Sequence, residues 1–143
     1  MSTRQEKLDR LKEIEAERNI KRDVIASAAA DTRLDNELLI AELEAKNHLT
    51  LHIDMGVVWL TSGDMIVVQK PEYTGYERYQ LKLAEHKTIE ELPPIVDEFL
   101  KICLIHPTMQ EIESKLISIN GDCKSAAVNL AARMHDIKGV TGK

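Results

Sequence analysis

Aromatic side chains are nearly absent from this 143-residue chain, which holds one Trp, three Tyr and one Phe. A core must therefore be filled by Leu, Ile, Val, Ala and Met, which pack well but supply few rigid anchors. Cysteine is scarcer still, with two. Cys103 and Cys123 both fall in apolar, helix-like surroundings, so buried free thiols are expected in preference to a disulfide. No apolar run reaches the roughly 18 to 20 residues of a membrane span, and the charged stretch from Met1 to Arg22 lacks the apolar segment of an export signal. The expected location is the cytoplasm. Positive charge is also in deficit: the net charge of -5 opposes nucleic acid and anionic membrane as partners, because both require a concentrated positive field.

The chain has room for one ordinary domain, or a small domain with an appended helical element, and its 30% charged residues favour the second arrangement. From Thr3 to Ala30 there is neither Gly nor Pro, and a long charged helix is expected. Leu8, Leu11, Ile14, Ile25 and Ala28 lie roughly on one stripe of it, interrupted by Arg18, Lys21 and Thr32, so this arm is a candidate coiled coil with an imperfect seam. Arg18, Lys21 and Arg22 are offset by Glu15, Glu17 and Asp23 and read as a solvated surface. Thr32-x-x-Asp35 resembles a capping box and predicts a bend near residues 31 to 36; the arm should then end near Asn47 in a left-handed cap.

Beyond the arm, the period changes. Alternation through Leu49, Leu51 and Ile53, followed by Val57-Val58-Trp59-Leu60 and Met65-Ile66-Val67-Val68 around Thr61-Ser62-Gly63-Asp64, predicts an antiparallel hairpin, with Gly56 at a bulge or join. Pro71 ends the second strand. Four helices are then expected: one capped by Thr74 with Tyr76, Tyr79, Leu83 and Leu81 inward; one from Pro93 to Ile105 burying Ile95, Val96, Phe99, Leu100, Ile102 and Cys103; one from Thr108 carrying Ile112, Leu116 and Ile119; and one after Asp122 carrying Cys123, Ala126, Ala127, Leu130, Met134 and Ile137. The fold class is α+β: a helical arm over 1–47 and a small hairpin-plus-helices domain over 48–143.

Little in the sequence suggests reaction chemistry. Cys103-x-x-His106 has a ligand-like spacing, and His48, His52 and His86 are further donors, but structural zinc recruits paired clusters and Cys123 has no partner three residues away. A core thiol beside a helix-terminal histidine is the simpler reading. Neither cysteine has the cationic neighbours that activate a thiol, and Glu90-Glu91 and Asp97-Glu98 read as solvated helix faces. Gly139-x-x-Gly142-Lys143 is too short for a phosphate loop and reads as a chain-end tail, and Trp59 as a side chain packed on the helices. Neither catalytic residue, metal nor cofactor is expected.

The order from about Val57 to Met134 resembles the small tail assembly chaperones of tailed bacteriophages: a short hairpin, Lys70-Pro71, the aromatic-acidic helix start Tyr76-Glu77-Arg78-Tyr79, Cys103 followed by His106-Pro107, the helix start Pro107 to Glu111, and a small helical bundle. The arm up to Asn47 lies outside that pattern. The resemblance implies a non-enzymatic assembly factor that coats apolar helices of a tape measure protein through helix-in-groove contacts. Leu38, Leu39 and Ile40 in the arm, with Leu104, Ile105, Ile117 and Met134 in the bundle, are the candidate protein-binding residues, each with core packing as its plain alternative. The partner would be a long helical protein or further copies of the chain, and a homo-oligomer is expected. The competing reading is a structural component of the virion, retained in the particle by its helical arm.

Overall fold

A computed structural model of the chain describes residues 3–141, with side chains described as far as Met134. Its first element, α1 (Arg4–Asn47), is one unbroken helix of 44 residues, about 66 Å long at the usual rise. Thr3 opens it, its hydroxyl accepting from the Glu6 N–H at 3.2 Å. The bend expected near residues 31 to 36 does not occur. Thr32 donates its hydroxyl to the Ala28 carbonyl at 3.0 Å and so is satisfied within the helix, while Ala26, Ala28, Ala29 and Ala30 favour continuation. The left-handed closing residue is His48 (φ 56°), one later than expected; Asn47 instead donates to the Leu43 carbonyl at 2.9 Å.

Residues 49–53 form a tight turn where a strand is expected, because the amides of Ile53, Asp54 and Met55 all converge on the Thr50 carbonyl and His52 turns left-handed (φ 69°). Strand β1 (Met55–Trp59) then pairs antiparallel with β2 (Met65–Gln69) in regular register, Gly56 facing Val68 without a bulge. Gly56 serves closeness instead. A β-carbon there would lie 2.8 Å from Leu130 Cδ2, so its bare backbone lets the last helix lie against the strand.

Helix α2 (Tyr73–Glu85) starts one residue before Thr74, with Glu72 at the cap position. The capping box of Thr88 and Glu91 opens a 3-10 turn (Ile89–Glu91) that passes into α3 (Leu92–Cys103), with Pro93 and Pro94 in its first turn. Helix α3 stops two residues short of Ile105. Leu104–His106 becomes a third strand, β3, pairing Leu104 with Val68 and His106 with Val67, with Ile105 as the extra residue at the register shift. The residue before a proline is disfavoured in helical conformation, and Ile105 prefers extended backbone, so the chain leaves the helix before Pro107. Thr108 accepts from the Glu111 amide at 3.2 Å and caps α4 (Met109–Glu111), which runs through a π turn (Ile112–Leu116) into α5 (Ile117–Ile119). Beyond Asn120-Gly121, α6 (Cys123–Thr141) completes the chain's described part; the side chain of Ile137 and the pair Gly142-Lys143 lie outside the described residues.

The sheet, in order β1-β2-β3, is covered on both faces. Val58, Leu60, Ile66, Val68 and Leu104 meet α3 and α6, where Phe99, Leu100, Cys123, Ala127, Val128 and Ala131 form the main core with Ile112 of the π turn. The Tyr79 and Phe99 rings stack there at 4.1 Å. Met55, Val57, Trp59, Met65, Val67 and Ile105 point the other way and meet Leu39, Ile40 and Leu43 of α1. Period-two alternation thus feeds two separate apolar layers, and the architecture is α+β.

Candidate functional site

The two halves of α1 have different surroundings. From Ala29 onward the helix is docked. Ile40 is its one buried residue, 6% exposed, and Asn36 donates to the Gly63 carbonyl at 2.9 Å. Arg33 lays its guanidinium over the Trp59 ring at 4.3 Å, and Glu44 accepts the Leu51 amide at 3.1 Å. Gly63 (φ +87°) sits against this stretch so closely that a β-carbon would collide with the Ala29 carbonyl and lie 2.8 Å from the Arg33 nitrogen. Trp59 therefore packs on α1, on the face of the sheet away from the other helices.

From Arg4 to Ala28 the helix has no buried residue. Leu8, Leu11, Ile20, Val24 and Ile25 expose between 43% and 65% of their surface there, with Leu34 and Leu38 adding to the exposed set further along. Isolated helices gain little from propensity and depend on a packed face for stability. Among the described residues, half of this helix lacks one.

The residues expected to bind protein are mostly spent on the fold. Leu39 and Ile40 close the α1 side of the sheet, Ile105 joins them from β3, Leu104 and Ile117 pack on the main core, and Met134 is buried within it. The unexpected third strand explains Leu104 and Ile105, whose side chains alternate between the two layers. Leu38 remains free, 63% exposed. Sequence reasoning missed Leu34, Ile20 and Val24, which share a face with Leu38 opposite the docked one. The available signal was the alternating four-and-three spacing of Ile20, Val24, Ser27, Asp31, Leu34 and Leu38. The stripe of Leu11, Ile14 and Ile25 lies instead on the side of the helix that, further along, meets the sheet through Asn36 and Ile40.

Ionisable groups in the body are tied up in structure. Burial pushes the Cys103 thiol up to about 12 and raises the Cys123 thiol as well, so neither is a ready nucleophile. Burial also holds His106 below its ordinary value, partly opposed by Glu111. Among the described residues no three His, Cys, Asp or Glu side chains converge as metal ligands. The Lys124 ammonium is held above its ordinary value: burial pulls it down, but hydrogen bonds to Asp97 at 2.9 Å and Glu113 at 3.0 Å more than offset the burial. Glu98 is held below the carboxylate range by its hydrogen bond from Lys82, with Arg78 at 3.0 Å adding to the effect. The recess these residues border between α2 and α3, next to Gly75 and Ile102, offers ≈ 10 Å³, room for about one water. A wider, open groove of ≈ 380 Å³ runs between α1 and the outer edge of β1, floored by Ile40, Leu51, Val57 and Trp59. No helix among the described residues is long and apolar enough to cross a membrane.

The chain matches no protein-family model, no curated protein and no solved structure.

Proposed function

We propose that this protein is a non-enzymatic assembly factor that works by lending the exposed part of α1 to other polypeptide helices. The observation that carries the reading is the unsupported run from Arg4 to Ala28, where aliphatic side chains stand in solvent on a stretch of helix that packs against no other element among the described residues. Its aliphatic character suits reversible helix-on-helix contact, since no large aromatic anchor is present to make the contact permanent. The buried thiols and the paired carboxylates of the body serve its fold. No cofactor is called for.

Within that reading, a phage tail assembly chaperone is the most specific form. It draws on the resemblance over Val57 to Met134, in which Lys70-Pro71 follows the end of β2, Cys103 is the last residue of α3 and Thr108 after Pro107 caps α4. Such a protein would keep apolar helices of a tape measure protein in solution in the host cytoplasm until tube subunits enclose them. The alternative is a structural component of the virion that uses the same helix to stay in the particle. Expression of a long apolar helical partner with and without the full chain tests the common core of both: the partner should stay in solution only with the chain, and Leu8→Asp with Leu11→Asp should abolish the effect. A partner equally soluble in both cases contradicts the proposal. Purified particles then separate the two forms, a chaperone being absent from them and a structural component present in fixed copy number.

A further inference from the structure

The outer face of α1 reads the same from both ends. Taken inward, its seam pairs Ile20 with Leu38, Val24 with Leu34 and Ser27 with Asp31, about a centre at Ala29. Ile20, Val24, Leu34 and Leu38 each expose between 63% and 65% of their surface, and Ser27 and Asp31 are exposed beside them. Their four-and-three spacing is that of the core positions of a two-helix coiled coil, and each of these pairs joins one kind of core position to the other, as antiparallel packing requires. From this self-complementarity we infer that α1 pairs with α1 of a second copy, antiparallel about a two-fold axis at Ala29. The inference rests on the protein-binding reading above and names one occupant for part of the exposed helix.

Charge and size agree with that orientation. On one flank, Lys21 of each copy comes opposite Asp35 of the other, giving two equivalent attractive pairs. At the axis, Ala28 meets its own counterpart, and Ala28 and Ala30 are small enough for the backbones to approach. On the other flank Asp23 comes toward Glu37, whose charge is shared with Arg33 at 3.3 Å within its own chain. A parallel pair in register would set Asp31 against Asp31 in the middle of the seam, whereas the antiparallel pair sets each Asp31 against a Ser27 hydroxyl that can donate to it. The docked stretch of each helix then backs the unsupported stretch of the other. The body packs on the opposite side of α1, through Asn36 and Ile40, and does not obstruct the pairing. Leu8, Leu11 and Ile25 remain outside the seam, open to a further partner.

Sedimentation of the full chain, joined to cysteine cross-linking, tests this. The wild type should sediment at twice 16.2 kDa, and Val24→Asp with Leu34→Asp should halve that mass while the body's unfolding transition persists, since both side chains are exposed. Lys21→Glu should weaken the dimer and Asp35→Lys added to it should restore it. Under mild oxidation Ala28→Cys should link to itself, and Val24→Cys and Leu34→Cys should link when mixed but not alone; Cys103 and Cys123 are fully buried and do not compete. A wild type that stays at 16.2 kDa, or self-linking of Val24→Cys as in a parallel pair, overturns the inference. The protein-binding reading is judged apart from it, by whether the chain still keeps a helical partner in solution.

Discussion

Phe99 is the chain's one phenylalanine and is 1% exposed, its ring stacked on Tyr79 between α2 and α3. Phe99→Ala should cost about 3 to 5 kcal/mol in chemical denaturation; a loss under about 1 kcal/mol would mean the stack is not a core contact. Two glycines carry different burdens. Gly63 holds a left-handed φ and abuts rigid backbone of α1, so Gly63→Ala should cost about 1 to 3 kcal/mol from the backbone alone, with steric cost added. Gly56 abuts the end of the flexible Leu130 side chain, which can rotate away, so Gly56→Ala should be the milder change in the same denaturation series. The reverse order would contradict the packing described.

At the scale of elements, hydrogen exchange along α1 offers the sharpest check. Amides from about residue 30 to 47 should be protected at every protein concentration because they lie on the sheet, whereas protection between residues 8 and 28 should rise with concentration or with added partner. Equal, concentration-independent protection along the whole helix would count against a supporting neighbour. The helix itself was readable from the absence of Gly and Pro, and the hairpin from its alternation and the Gly63 turn. What local sequence hid was decided by tertiary contact. Thr32 and Asp35 look like a cap, yet alanines on one side and the sheet on the other keep the helix unbroken. Leu49 to Ile53 alternate like a strand, yet the Thr50 carbonyl gathers three amides and makes a turn. Leu104 and Ile105 continue the stripe of α3, yet the β2 edge and Pro107 draw them into a strand. That strand accounts for two of the candidate residues, Leu104 and Ile105, whose plain alternative was core packing: they line the two faces of the sheet.

For the molecule as a whole, two windows of acid sensitivity follow from the shifted groups. His106 is held below its ordinary 6.5 in the folded state, so below 6.5 the unfolded chain takes up a proton that the folded chain resists. Stability should therefore be level above that pH, fall as pH drops from 6.5 to the folded value, and level again; His106→Gln should remove this part of the slope in thermal melts at stepped pH. Glu98, depressed by Lys82, adds stability that is complete above its ordinary 4.5 and is lost at lower pH as the folded carboxylate titrates. A wild type and His106→Gln with parallel profiles between pH 7 and 5 would leave His106 without a part in acid sensitivity.

Because α1 roofs one face of the sheet, the place where the chain is cut from the N-terminal side decides what kind of molecule remains. A fragment beginning near Ala28 keeps its sheet sealed and loses only the projecting rod. One beginning at His48 uncovers Met55, Met65, Val67 and Trp59 together, turning a well-behaved body into a surface prone to stick to itself.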